Sequence, residues 1–119
     1  MQVILNISLD GIPVDQSFTN PINIRRAMTA AAVTRGAGFN VTAAKLVQSN
    51  TEPTLVLTIT DDQPGLDNRI DELAKTLHQD CIAVWYPEKS WGQFIGPKAA
   101  DWGDFNPAFF FTPDRTRLA

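Results

Sequence analysis

The amino-acid sequence predicts an α+β domain in which two helices cover one face of an antiparallel sheet of four or five strands. Apolar residues alternate with polar ones near the N-terminus and again between residues 54 and 60, as in half-buried strands. Between residues 66 and 77 the apolar residues recur at helical spacing instead. A chain of 119 residues has the size of one domain.

The first strand and the first helix occupy residues 3–35. Residues 3–9 alternate in polarity and form the strand. Asn20 and Pro21 are typical of a helix start, because asparagine accepts hydrogen bonds from free amides and proline loses none at the first position. Gly36 and Gly38 end the helix. Its spacing predicts a buried side formed by Ile24, Met28, Ala31 and Ala32.

The remaining elements follow in order along the chain. Residues 39–49 form a strand whose irregular alternation indicates a β-bulge, and residues 54–60 form the third strand. The second helix buries a stripe made of Leu66, Ile70, Leu73 and Leu77. The apolar run 81–86 is predicted to be a central strand, joined by a loop at 87–90 to a returning strand at 91–95.

The first six elements have the β-α-β-β-α-β order that is called ferredoxin-like, a fold that hosts many functions. We therefore divide the single domain, 1–119, into an α/β core at 1–86, an aromatic extension at 87–111 and a frayed tail at 112–119. The aromatic extension is the part that the fold does not require.

Charge and cysteine content exclude several classes of function. The net charge is −3, with 10 basic against 13 acidic residues, whereas a nucleic-acid binder needs a basic surplus. Cys81 is the single cysteine and His78 the single histidine, so neither an internal disulfide nor the usual zinc site can form. With no leader pattern and no long apolar run, we expect a cytoplasmic protein without metal or cofactor.

The last third of the chain holds all three tryptophans and the only tyrosine. Such a cluster is typical of a ring-stacking pocket or a protein contact surface. It is equally the composition of a satellite core that fixes the C-terminal segment on the sheet, and both interpretations stay open. The candidate binding residues of this region are Trp85, Tyr86, Lys89, Trp91, Asp101, Trp102 and Asp104.

Outside this region the sequence offers few chemical groups. Arg25 and Arg26 lie in the first turns of the first helix, where they can bind a phosphate or carboxylate or remain simply solvated. His78 and Cys81 have no partner at a spacing typical of catalysis, and we assign the first to a helix end and the second to a strand start. The absence of a catalytic set favours a non-enzyme.

The sequence therefore favours a small non-enzymatic binding protein that contacts a protein partner through Trp91, Trp102 and their neighbours. A free sheet edge can in addition support a dimer by strand pairing. Residues 79–84 and 102–107 resemble small proteins of phages and other mobile elements, a resemblance that covers about a third of the chain and implies no particular function. An accessory or inhibitor protein of such an element would fit the binding hypothesis. The alternative is a small-molecule or nucleotide-binding domain, enzymatic or not, in which the aromatics stack a ring and Lys89, Arg25 or Arg26 meets a phosphate. A nucleic-acid binder is a third hypothesis, which the threonine-rich strand faces disfavour.

Overall fold

A computed structural model of the chain describes residues 1–8, 21–48, 53–60 and 64–103. The predictions for the Asn20 cap, for Asp104 and for the C-terminal tail lie outside the described residues. The elements found are β1 (Gln2–Ser8), α1 (Pro21–Gly36), β2 (Val41–Gln48), β3 (Pro53–Thr60), α2 (Leu66–Thr76), β4 (Ile82–Tyr86) and β5 (Trp91–Ile95), with short 3₁₀ helices at Pro87–Lys89 and Ala99–Trp102. The predicted α+β class is confirmed.

The five strands form one antiparallel sheet in the order β2-β3-β1-β4-β5, with β1 at its centre. This order differs from that of the four-stranded ferredoxin-like sheet, because β5 pairs with β4 over its whole length and extends the sheet by one strand. The 3₁₀ helix Pro87–Lys89 closes this β4–β5 hairpin.

One face of the sheet, which we call the helix face, packs against both helices. α1 lies over β2 and β3, and α2 lies over β4 and β5. Alternate residues of the strands fill the space between sheet and helices, as period-two geometry requires. The strand residues of this core include Val3, Leu5, Ile7, Leu55, Leu57, Ile59, Ile82, Val84 and Tyr86.

The predicted buried side of α1 is right for Ala31 and for the partly buried Ile24, but wrong for Met28 and Ala32. Met28 is 63% exposed and Ala32 is also exposed. The buried residues recur at helical spacing and are small: Ala27, Ala30, Ala31 and Thr34. Small side chains let the helix axis approach the sheet closely, and the buried Thr34 hydroxyl is satisfied because it donates to the carbonyl of Ala30 at 2.8 Å.

The predictions for α2 and β2 are confirmed. Leu66, Ile70 and Leu73 are buried, and Leu77 packs against the same core. The register of β2 against β3 shifts between Val41 and Ala43, as expected of a bulge. No helix in the described part of the chain is long and apolar enough to cross a membrane.

Arg69 ties α2 to the segment that follows α1. Its guanidinium donates a hydrogen bond to the Ala37 carbonyl at 2.7 Å and lies 4.6 Å from the centre of the Phe39 ring. The hydrogen bond and the cation–π contact together fix the position of α2 relative to the segment that follows α1.

Candidate functional site

The aromatic residues that the structure describes in the last third do not form one cluster, because the β4–β5 hairpin distributes them over both faces of the sheet. Tyr86 pairs with Trp91 in register, and both lie on the helix face. Trp85 and Phe94 lie on the opposite face. The structure therefore brings together two smaller groups instead of the single site that the sequence predicts.

The group on the helix face lines a groove of about 520 Å³ between the hairpin and the N-terminal end of α2. We call it the hairpin groove. Three of the predicted site residues, Tyr86, Lys89 and Trp91, line it. The other residues that line it were not predicted as site residues from the sequence; they are Gly65, Leu66, Asp67, Asn68 and Gln93.

Tyr86 organises the hairpin groove. Its side chain is 5% exposed, and its hydroxyl donates to Asp67 Oδ1 at 3.3 Å and accepts from Gln93 Nε2 at 3.4 Å. The Trp91 ring stacks on the Tyr86 ring, with centroids 5.3 Å apart and planes inclined by 24°. The Lys89 ammonium lies 5.7 Å from the centre of the same ring. A buried tyrosine thus fixes the positions of the groove side chains around it.

The helix end of the groove exposes backbone donors. Gly65 precedes α2 in a left-handed conformation, with φ 70°, and its lack of a side chain leaves the first amides of the helix without a side-chain cap. The described lining of the groove therefore combines a flat indole surface, the Lys89 ammonium, the Asp67 carboxylate and a few amides. This combination suits binding of a planar polar group, and the described lining holds no histidine, cysteine or serine.

The second aromatic group lies on the opposite face. Trp102, in the 3₁₀ helix Ala99–Trp102, contacts Phe94 of β5 with ring centroids 5.8 Å apart and an interplanar angle of 52°. Trp85 is half-buried, and Asp101 is exposed beside Trp102. Trp91 therefore lies on the helix face of β5, and Trp102 contacts β5 on the opposite face.

Arg25 and Arg26 are exposed on α1, and neither lines the hairpin groove. α1 lies over β2 and β3, whereas the groove lies beside β4 and β5. The structure therefore does not place these arginines beside the aromatic groups, as the nucleotide-binding hypothesis requires.

Burial raises the pKa of the Cys81 thiol to about 11, and the neighbouring Asp80 carboxylate contributes in the same direction. The thiol form, which is a poor nucleophile, therefore dominates at neutral pH. His78 is exposed and follows α2 with a φ of 56°. Among the described residues, no group of three His, Cys, Asp or Glu side chains is placed to hold a metal ion.

Comparisons with protein-family models, with curated proteins and with solved structures find no match. The function proposed below therefore rests on the geometry of the hairpin and its surroundings.

Proposed function

We propose that this chain is a small non-enzymatic binding protein that contacts a protein partner through the β4–β5 hairpin and the adjoining 3₁₀ helix. The observation that carries the proposal is the exposure of two tryptophans there, Trp91 at 50% and Trp102 at 46%. Tryptophan is enriched among the residues that dominate the energy of protein interfaces. Exposed rings of this size are what such an interface presents before the partner arrives.

The two rings are also held in place before binding. Trp91 stacks on the buried Tyr86, and Trp102 leans on Phe94. A side chain that is already ordered loses less conformational entropy when a partner covers it. Trp91 begins β5, which lies at the edge of the described sheet, where main-chain groups can pair with an extended segment of a partner.

We also propose a fold type and a class of protein. β1 to β4 and the two helices are proposed to be a ferredoxin-like core to which β5 is added, since each helix connects two strands that lie on either side of a third. An accessory or inhibitor protein of a phage or mobile element is the proposed class, because such a protein acts by contact and needs no catalytic set.

Capture experiments with matched variants test the proposed function. The immobilised full chain is compared with Trp91→Ala, Trp102→Ala and Met28→Ala, the last of which removes an exposed apolar side chain on α1. We expect the wild-type chain and Met28→Ala to capture the same protein. Each tryptophan variant should bind that protein about 30-fold more weakly, as for interface residues worth ~2 kcal/mol. Capture that is identical for all four chains would overturn the proposal.

The hairpin groove favours a second candidate function, the binding of a nucleotide or similar small molecule. Its volume suits a small ligand, a ring can stack on Trp91, and the Lys89 ammonium can meet an anionic group. Asp67, whose carboxylate also lines the groove, would oppose an anion placed beside it.

Thermal unfolding in the presence of AMP and ATP tests this second candidate. A ligand at 100 times its dissociation constant stabilises the native state by about 2.7 kcal/mol and so raises the melting temperature. We expect Lys89→Ala to reduce that rise and Lys98→Ala, an exposed lysine outside the groove, to leave it unchanged. An unchanged melting temperature with both nucleotides would contradict nucleotide binding.

A further inference from the structure

The two edges of the described sheet differ in their protection against pairing with another chain. β2, at one edge, carries the exposed Lys45 and a bulge between Val41 and Ala43. Charges and bulges on an edge strand oppose strand addition. β5, at the other edge, has neither, because its sequence from Trp91 to Ile95 contains no charged residue and no proline and pairs with β4 without a register shift.

We propose that a second copy of this chain pairs through β5, so that two β5 strands run antiparallel about a two-fold axis and join two sheets into one of ten strands. The inference rests on the proposed function, since it names the partner of the same hairpin surface. A two-fold interface places the same strand on both sides, and β5 must therefore be complementary to itself.

The sequence of β5 meets that requirement. Pairing over its full five residues puts the axis at the central residue, Gln93. On the helix face, Trp91 then lies beside the partner's Ile95, an aromatic and β-branched pair of the kind that stabilises antiparallel sheets. On the opposite face, Phe94 lies beside the partner's Gly92, where an aromatic ring covers the glycine backbone.

The surroundings of the strand add to the contact. Trp102 leans on Phe94 and is 46% exposed, so it lies beside the line where the two sheets would meet. A pairing of two five-residue strands falls at the small end of specific interfaces, below about 1,200 Å². The dimer should therefore dissociate on dilution instead of being permanent.

Sedimentation equilibrium over a range of concentrations tests self-association of the full chain. We expect the weight-average mass to rise from 13.1 kDa towards twice that value. Gln93→Lys places two ammonium groups against each other at the axis and should raise the dimer dissociation constant at least tenfold. Ala43→Lys, which adds the same charge to an exposed position of β2, should leave the dissociation constant unchanged.

A charge exchange tests the position of the axis. Gln93→Lys and Gln93→Glu both replace the amide that donates to the Tyr86 hydroxyl, so urea unfolding of each variant checks that its monomer is intact. Each variant alone should be monomeric, while an equimolar mixture should form a one-to-one dimer because opposite charges then face each other. A mixture that stays monomeric would overturn the pairing at Gln93.

Hydrogen exchange provides a measurement on the wild-type chain alone. Amides of β5 that point away from β4 should exchange more slowly as concentration rises, while those of β2 should not change. A wild-type mass of 13.1 kDa at every concentration up to about 1 mM would overturn self-pairing. In that case capture that depends on Trp91 and Trp102 would still support the proposed function, so the two failures are distinguishable.

Discussion

Gly96 allows the chain to leave β5 directly against the start of β4. A Cβ atom built on Gly96 would lie 2.5 Å from Cys81 Cα and 2.7 Å from the Asp80 carbonyl oxygen, and the φ of Gly96 is 157°. Two residues later, the Lys98 amide donates to the same Asp80 carbonyl at 2.8 Å. Because both neighbours are backbone atoms, no side-chain rotation can make room for a methyl group. We therefore predict that Gly96→Ala destabilises the fold.

The size of the effect follows from the distances. Ordinary van der Waals contact begins at 3.4 Å, so the segment at Asp80 and Cys81 must move by about 0.9 Å from its 2.5 Å approach. Overpacking of this kind costs about 1–3 kcal/mol, and backbone strain adds ~1 kcal/mol. We expect Gly96→Ala to lower the free energy of unfolding by about 3 kcal/mol, a large share of the total for a small domain.

Two other glycines provide matched controls. Gly65 has a φ of 70° but no atom within 4 Å of its built Cβ, so Gly65→Ala should cost only the left-handed strain of about 1 kcal/mol. Gly36 has open space and no positive φ, so Gly36→Ala should be neutral or stabilising by ~0.5 kcal/mol. Urea unfolding measures all three, and hydrogen exchange of the Lys98 amide reports the local shift. A Gly96→Ala variant within about 0.5 kcal/mol of Gly65→Ala would refute the reasoning.

The remaining predictions concern three side chains, Cys81, Arg69 and Tyr86. With its pKa raised from 9.0 to about 11, the Cys81 thiol should react with a disulfide reagent at pH 8 about 100-fold more slowly in the folded than in the urea-unfolded chain. Because the folded state favours the protonated Cys81 thiol, the contribution of that thiol to stability should be intact below pH 9 and lost between about pH 9 and pH 11. A Cys81→Ala variant should lack this decline. Arg69→Leu, which removes the hydrogen bond to Ala37 and the contact with Phe39, should lower the free energy of unfolding in urea by about 1–2 kcal/mol, and Arg69→Lys should recover only part of it. Tyr86→Phe should cost ~1 kcal/mol in the same assay because two hydrogen bonds of the groove are lost; an unchanged value would mean that the hydroxyl does not organise the groove.

The elements that the sequence predicts best are those whose pattern has one consistent solution. The apolar stripe of α2 is buried as its spacing predicts. In β3 the alternate residues Leu55, Leu57 and Ile59 are buried as predicted, although Thr54 is buried as well. α1 is different because alanines lie all around it and Met28 is its largest unbranched apolar side chain. If Met28 is taken as a core residue, the predicted buried side is rotated about the helix axis. Packing against the sheet instead buries the side with the smallest residues, around Ala27 and Ala30.

The candidate site was predicted as a set of residue types but not as a place. Composition counts aromatic residues without regard to the face on which they lie, and strand alternation sends Trp85 and Tyr86 to opposite faces. The helix side of the groove follows from topology instead. A helix that connects β3 to β4 starts near the C-terminal end of β4, which brings Gly65 and Asp67 to Tyr86. That inference needs the strand order, which no local pattern in the sequence supplies.

The hairpin groove and the β5 edge share one side chain, and this couples the two proposals. Trp91 stacks on Tyr86 at the groove and is also the residue that would meet the partner's Ile95 across the edge. A ligand that shifts the position of the Trp91 ring changes the free energy of pairing at β5, and pairing must change the affinity for that ligand by the same factor. If the indole conformation that stacks a ligand is also the one that covers the edge, the ligand promotes the dimer, whereas a ring drawn into the groove exposes the edge and opposes it. The sign of the shift in sedimentation mass on adding a groove ligand thus reports which conformation of Trp91 the ligand selects.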